Sequence, residues 1–498
     1  MGQPIRIHPE NPKLFLFHGN PVVLLTPPER YGAVMNRPFR YERYLADAQA
    51  KRINFTRLFL LFRELQSPVN PHSTCKPDSP DYVAPFKRVP PAPALDGQFR
   101  YDLDQWNPEF FERLHGFVAL AGRAGVIVEV VLFSNTYATE IWSLNPLNAA
   151  NNLNGVETIP WYEYTTARHP KLLERQRAYV RRIVREINAY DNVVYEICNE
   201  PGGNLDLEGA PTSDEVDAWL DTMIALVREE EAALANRHLI FGQEAFAYHL
   251  PGQENRLDVF QFADKAFRAM DYDAVTVHPL SNMRYAGRHY HLGRFMHAEL
   301  HLEAFRDYTL ELYFNETKPV VHDEDNCAGQ FKDMLGWTIH RKRAWTAAFC
   351  GAHYDYIDFS INNYAETGTE ESNSAIRSWF KHLSEYMHSL DLARGHPLRN
   401  AVIECPPGCV ESAFGIPGEQ YSVYLADARE RLDENYGNPV QGDLVIRLEP
   451  GEYAADCLNP ATGGWSPSVV VTGSENTRLT LPRFEHDLVV RFRRNQTI

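Results

Sequence analysis

Short apolar runs recur along most of this chain, each followed by a longer stretch with amphipathic helical periodicity. The runs fall at 22–25, 53–62, 126–133, 193–198, 239–242, 274–278, 319–321 and 354–361. Strands alternating with helices in this way form parallel βαβ units, because a parallel pair needs a crossover and the crossover covers the sheet. Eight such units predict a closed (β/α)8 TIM barrel of the α/β class, with its chemistry where the C-terminal ends of the strands meet. With 498 residues, 44% hydrophobic and 23% charged, the chain holds such a barrel and a smaller domain beside it.

Helix ends support the reading. Asn107 and Pro108 form an N-cap and first-turn proline ahead of Phe110, Phe111, Leu114 and Phe117 on one face, and Gly122 and Gly125 close the helix. The segments 63–106 and 134–170 are too long for minimal connections and read as loops shaping a cleft above the second and third strands. Tolerated surface insertion is the plainer alternative. Past Leu392 the runs 421–424, 444–448, 477–481 and 488–492 have no helices between them, and turn clusters such as Asn459-Pro-Ala-Thr-Gly-Gly separate them. The expected division is therefore a catalytic barrel over 1–392 and an antiparallel β-sandwich over 393–498.

Charge and composition remove several function classes. Lys and Arg total 49 against 66 Asp and Glu, a net charge of −17, and no basic run with interleaved aromatics occurs, so nucleic acid is not expected as a partner. No stretch approaches the ~20 consecutive apolar residues of a membrane helix, and the first residues lack a signal-type apolar core. The expectation is a soluble protein, cytoplasmic or exported with its signal peptide missing from this sequence. Seven cysteines, at 75, 198, 327, 350, 405, 409 and 457, include no CxxC pair, which argues against a disulfide framework or a thiolate zinc site. Oligomeric state is not written in the sequence.

Two carboxylates stand where a barrel does its chemistry. Val193-Val-Tyr-Glu-Ile-Cys-Asn-Glu-Pro201 is a buried strand ending in Asn199 and Glu200 before a strand-breaking proline. Lys318-Pro-Val-Val-His-Asp-Glu-Asp325 ends a later strand, where period-2 alternation puts Val320, His322 and Glu324 on one face. A pair of acids on opposite walls of a mouth suits glycoside hydrolysis: one protonates the departing oxygen, and the other attacks the anomeric carbon or activates water.

These motifs resemble those of the clan A glycoside hydrolases, retaining (β/α)8 β-glycosidases of the cellulase-like superfamily. Asn199-Glu200-Pro201 matches that clan's Asn-Glu-Pro at the end of strand four, and Lys318 to Glu324 is similar to its strand-seven nucleophile segment. Arg57, in Asn54-Phe-Thr-Arg57, takes the place of the strand-two arginine, and His278, in Val277-His278-Pro279, that of the strand-six histidine. The resemblance covers about the first 390 residues. It implies Glu200 as acid/base, Glu324 as nucleophile, Asn199 as a donor to the hydroxyl beside the reacting carbon, and Arg57 as the cation holding Glu324 ionised. Independently of the clan, a guanidinium keeps a nucleophile deprotonated while a less polar setting raises the pKa of a proton donor.

Many clan members carry a tryptophan on strand eight, whereas Tyr354-Asp-Tyr-Ile-Asp-Phe-Ser-Ile-Asn362 has none. Trp142, Trp161 and Tyr31, in or near the mouth loops, are the alternative sugar platforms, although such residues also anchor loops. Arg57 has a structural reading as well, pairing inside the barrel with Glu129 or Glu196, and Glu244, at another strand end, reads as a rim or structural acid. A metal-dependent barrel hydrolase is the first rival, on His289, His291, His297, His301, His322 and Asp323, but the spacings fit no known ligand motif. A non-catalytic carbohydrate-binding barrel is the second. The expected protein is a retaining β-glycosidase, exo-acting on oligosaccharides or glycosides, with a carbohydrate substrate, no cofactor and no metal.

Overall fold

The structure, a computed structural model, describes residues 2–26, 33–37, 39–61, 81–248, 259–294, 297–325, 327, 334–356 and 375–495. Seven parallel strands pair in chain order: β1 (Phe55–Phe59), β2 (Ile127–Ser134), β3 (Val193–Asn199), β4 (Ile240–Gly242), β5 (Ala274–Val277), β6 (Val320–Asp325) and β7 (His353–Tyr356). The segment 23–26 closes the ring. It exchanges two backbone hydrogen bonds with Tyr354 on one side and accepts the Asn54 N–H on the other. This first predicted run makes an isolated bridge, Leu25 to Tyr354, rather than a full ladder. The reason is chemical: the N–H groups of Val23, Leu24 and Leu25 donate to side chains of His388, His353 and Asn54.

Helices α1 (Tyr41–Ala50), α2 (Pro108–Arg123), α3 (Pro170–Ile187), α4 (Ser213–Glu231), α5 (Asp264–Arg268), α6 (Leu302–Asn315), α7 (Met334–Phe349) and α8 (Ile376–Met387) follow the successive barrel positions. The Asn107 side chain caps α2 by accepting from the Glu109 N–H, and the helix buries Phe110, Phe111, Leu114 and Phe117. Thr212 and Glu215 form a reciprocal capping box on α4.

Inside the barrel the period of two produces layers. Phe55, Ile127, Val194, Phe241, Ala274 and Val321 form an apolar cluster with Ile5, Phe15 and Phe17 from the N-terminal hairpin. Two residues further along their strands, Arg57, Glu129, Glu196 and Asp323 are all fully buried. Among the described residues, the apolar layer and its N-terminal cover fill the lower end, and the charged layer lies on its C-terminal side. There the connections add a five-stranded sheet of Gly202–Gly203, Phe246–Ala247, Phe260–Phe262, Asn282–Tyr285 and Arg288–Tyr290.

The chain then forms two antiparallel sheets. Six strands run in the order His396–Pro397, β8 (Cys409–Ile416), β9 (Gln420–Asp427), β14 (Asp487–Arg494), β11 (Gly451–Leu458) and β12 (Val469–Gly473). Val402–Glu404, β10 (Asp443–Ile446) and β13 (Thr477–Thr480) make the second sheet, and Val423, Leu425, Leu444, Ile446, Val490 and Phe492 share one core. The runs read at 421–424, 444–448, 477–481 and 488–492 fall on β9, β10, β13 and β14. None of these runs falls on β8, β11 or β12; the valines of β12 are largely exposed and its alternation is weak.

This sandwich is joined to the barrel by aromatic stacking and buried charge. Trp345 of α7 stacks on Tyr424 of β9 at 5.6 Å between ring centroids, and Tyr386 of α8 stacks on Trp465 at 6.0 Å. Arg341 of α7 holds both Asp487 oxygens, at 2.9 and 2.7 Å, and Tyr424 donates to the same carboxylate at 2.9 Å. Replacing Asp487 by Ala leaves a buried guanidinium unpaired, and urea unfolding is expected to show a loss of about 3–5 kcal/mol. A loss below about 1 kcal/mol contradicts the proposed importance of this pair.

Candidate active site

Glu200 follows directly on β3, and Glu324 lies near the end of β6. Both have left-handed backbone, with φ of +47° and +59°, a conformation that costs a non-glycine residue about 1–3 kcal/mol and persists only where its surroundings enforce it. At Glu324 the consequence is visible in the ladder, because the register with β7 shifts between His322 and Asp325. The alternation expected for β6 is thereby corrected. His322 turns outward against Phe305 and hydrogen-bonds Thr309 at 2.7 Å, whereas Asp323 faces the barrel interior and the irregular backbone brings Glu324 inward as well. Val320, His322 and Glu324 do not share a face.

Arg57 organises the floor of the mouth. Its Nη1 donates to Glu324 Oε2 at 3.1 Å and its Nη2 donates to Asn199 Oδ1 at 3.0 Å and to Glu196. Its Nε lies 3.2 Å from Asp323 and 3.3 Å from Glu129. Arg57 therefore pairs with the interior acids and also reaches Glu324. Side-chain exposure separates the carboxylates, being zero for Glu129, Glu196 and Asp323 but 6% for Glu324 and 14% for Glu200. The last two are the acids that face the mouth. Burial pushes the Glu196 carboxyl above its ordinary range against the attraction of Arg57, with the charge of Asp323 adding to the rise.

His278, just past β5, joins the pair: its Nδ1 lies 3.0 Å from Glu200 Oε1 and 3.9 Å from Glu324 Oε2. One carboxylate oxygen each from Glu200 and Glu324 and one His278 nitrogen all lie within 4.8 Å of one another. Carboxyl groups about 5 Å apart suit a double displacement through a covalent intermediate, whereas inverting pairs stand wider to admit a water. Tyr137 completes the setting by donating to Glu200 Oε2 at 2.7 Å while accepting from Asn199 Nδ2 at 2.9 Å.

These contacts set the protonation balance. Burial alone raises Glu200, but the hydrogen bond and charge of His278, with the Tyr137 hydroxyl, bring its carboxyl below the ordinary range. This differs from the less polar surroundings expected for a proton donor. Burial alone lowers His278, and the bond to Glu200 with the nearby acids Glu200, Glu324 and Asp323 brings it above its usual value. Burial and the same glutamates keep the Tyr137 phenol protonated. A chain of amides orients the histidine. Its backbone N–H donates to Gln261 Oε1 at 2.9 Å, Gln261 donates to Gln243 Oε1 at 3.0 Å, and Gln243 Nε2 meets His278 Nε2 at 3.3 Å. Because the backbone N–H can only donate, it dictates which way both amides point.

Among the proposed platforms, Trp142 is corrected to a loop anchor. It is 4% exposed, donates to the Ile159 carbonyl at 3.2 Å and packs on Tyr164. Trp161 is half-buried, and its carbonyl accepts from Thr136, next to Tyr137. Tyr31 lies outside the described residues. Glu244 caps α5 by accepting the N–H groups of Lys265 and Ala266, which accounts for its burial away from the pair. Tyr137, Gln243 and Gln261 were not singled out from sequence. Tyr137 sits in a loop of no regular period, and Gln261 comes from the strand Phe260–Phe262 in the additional sheet. The one available signal was Gln243, adjacent to Glu244 at the end of β4.

Arg57→Leu is expected to prevent folding or to cost more than about 3–5 kcal/mol in urea unfolding, since Glu129, Glu196 and Asp323 lose their common cation. Arg57→Lys does not restore stability, because one ammonium cannot span acids on several walls. Stability equal to that of the unmodified protein in either variant contradicts this account.

The sequence matches the cellulase family, glycosyl hydrolase family 5, over residues 38–351. No curated protein matches it. Among solved structures, a putative glycoside hydrolase from Bacteroides vulgatus is 14% identical, with a TM-score of 0.62 over 99% of this chain and 82% of that one. A family 5 glycoside hydrolase from the same organism is 12% identical, with a TM-score of 0.60 over 99% and 92%. An endo-1,4-beta-mannanase from Rhizomucor miehei is 11% identical, with a TM-score of 0.51 over 78% of this chain and all of that one. At these identities the likeness is one of fold. The family match, spanning most of the barrel, makes this chain a member of glycosyl hydrolase family 5, a family of retaining glycoside hydrolases.

Proposed function

We propose that the protein cleaves β-glycosidic bonds with Glu324 as nucleophile and Glu200 as acid/base. The observation that carries this reading is the convergence of the two partly exposed carboxylates within 4.8 Å, beside His278. In the first step Glu324 attacks the anomeric carbon while Glu200 gives its proton to the departing oxygen. In the second, Glu200 takes a proton from water, which then displaces Glu324. Arg57 supports the ionised nucleophile. Asn199, whose Nδ2 now donates to Tyr137, is the group offered to the sugar hydroxyl beside the reacting carbon. Trp161 is the remaining described platform candidate.

We assign catalysis to the barrel, to about residue 392, and a structural role to the 393–498 module, on the strength of its buried Arg341–Asp487 junction. Exo action on oligosaccharides or glycosides is favoured by the length of the mouth loops. A screen of aryl β-glycosides differing in the sugar is expected to show turnover, whereas binding without hydrolysis supports the carbohydrate-binding alternative. Glu324→Gln should abolish turnover of all of them. Glu200→Ala should spare the first step for dinitrophenyl glycosides, whose leaving group needs no proton, and slow it for poorer leaving groups. The reverse pattern overturns the role assignment, and an inverted first-formed anomer by proton NMR overturns double displacement.

The pH dependence has a definite sign. Because Glu200 is biased toward its ionised form, kcat/KM is expected to fall as pH rises out of the acid range. Tyr137→Phe removes a donor that favours that ionised form, so the descending limb should move upward by about one pH unit, a charged hydrogen bond being comparable to one unit of pKa. A downward shift contradicts the assignment of Glu200 as proton donor.

A further inference from the structure

The sequence carries histidines whose spacing fits no metal motif and which the catalytic centre does not use. The fold nevertheless brings three residues together away from Glu200 and Glu324. His291 follows the strand Arg288–Tyr290, and Glu299 and His301 immediately precede α6. Gly293, at φ +104°, allows the intervening chain to turn back. One donor atom from each of His291, Glu299 and His301 then lies within 4.8 Å of the other two.

Backbone carbonyls engage one nitrogen of each of the two rings. His291 Nδ1 lies 2.7 Å from the Ser281 carbonyl, and His301 Nδ1 lies 3.2 Å from the His291 carbonyl. A carbonyl only accepts, so both Nδ1 atoms carry protons and both Nε2 atoms are left as the nitrogens able to ligate. His301 Nε2 stands 3.1 Å from Glu299 Oε2. Two lone-pair atoms facing at that distance need a positive centre, either a second proton on the imidazole or a cation bound to both. Ligands 2.0–2.2 Å from one tetrahedral ion are separated by about 3.4 Å, close to the His301–Glu299 separation, while the His291 donor atom lies within 4.8 Å of both. Arg294 competes for the carboxylate, with its Nε 3.5 Å from Oε1 and its N–H 2.9 Å from Oε2, but each oxygen has a further lone pair.

We propose that His291, Glu299 and His301 bind one divalent ion of the zinc type, for which two imidazoles and a carboxylate are suitable ligands. The site staples a loop tied to the catalytic wall. Arg343 donates to the carbonyls of Leu292 and Leu300, and its Nη1 holds both oxygens of Asp325, the neighbour of Glu324, at 3.0 Å. Glu430 of the C-terminal module accepts from the N–H groups of Leu300 and His301 at 2.7 and 2.8 Å. The ion is structural, standing apart from bond cleavage.

The test is calorimetric titration of the chelator-treated full chain with Zn2+, alongside thermal unfolding with and without the ion. One equivalent should bind and raise Tm. His291→Ala and His301→Ala should each weaken binding by at least about a hundredfold, while His382→Ala, on α8, leaves it unchanged. Absence of saturable binding overturns the proposal, as does binding that survives both ligand substitutions. A Tm lowered by His301→Ala but unmoved by Zn2+ assigns the contact to an imidazolium–carboxylate pair and overturns it equally.

Discussion

One fully buried guanidinium governs the centre of this protein. Arg57 meets carboxyl groups carried by β2, β3 and β6, and each of these buried acids would lose a directly contacting cation without it. Its planar, forked donors let one side chain address several walls, which a point-like ammonium cannot do. The same contacts that stabilise the interior also orient Glu324 and Asn199. Structural support and site geometry are therefore one arrangement.

Above this layer, backbone strain and hydrogen bonding act in concert. Glu200 and Glu324 occupy left-handed conformations just where their strands end, and each is held there by partners from other elements. Gly202 serves the same end, since a Cβ there would collide with the Tyr248 ring, whose hydroxyl accepts from Asn135, itself a donor to the Glu200 carbonyl. Two chemically identical carboxyl groups thus receive different neighbours: Glu324 a guanidinium, Glu200 an imidazole and a phenol. Such inequality is what distinct roles in a double displacement require.

Much of this was legible from residue order. The apolar runs located the barrel strands, and Asn199-Glu200-Pro201 marked one wall of the mouth. Period-2 alternation failed on β6 because the irregularity before Asp325 turns Asp323 and Glu324 to the same side, and a bulge leaves no clear trace in composition. Trp142 was misjudged for a related reason: an aromatic residue in a long loop packs inward or outward according to its neighbours, here Tyr164 and the Ile159 carbonyl. Tyr137 and Gln261 gave no signal, since their importance comes from hydrogen bonds across 63 and 17 positions of chain.

By itself, the sequence determined the succession of strands and helices, the helix caps, the all-β end of the chain and the identity of the acids at two strand termini. Those features depend on local periodicity and on the conformational preferences of Pro, Gly and Asn. Tertiary structure alone decided which acids share Arg57, how far apart Glu200 and Glu324 stand, and which way the His278 ring points. Each of these is a sum over partners distant along the chain, so it exists only once the barrel has closed.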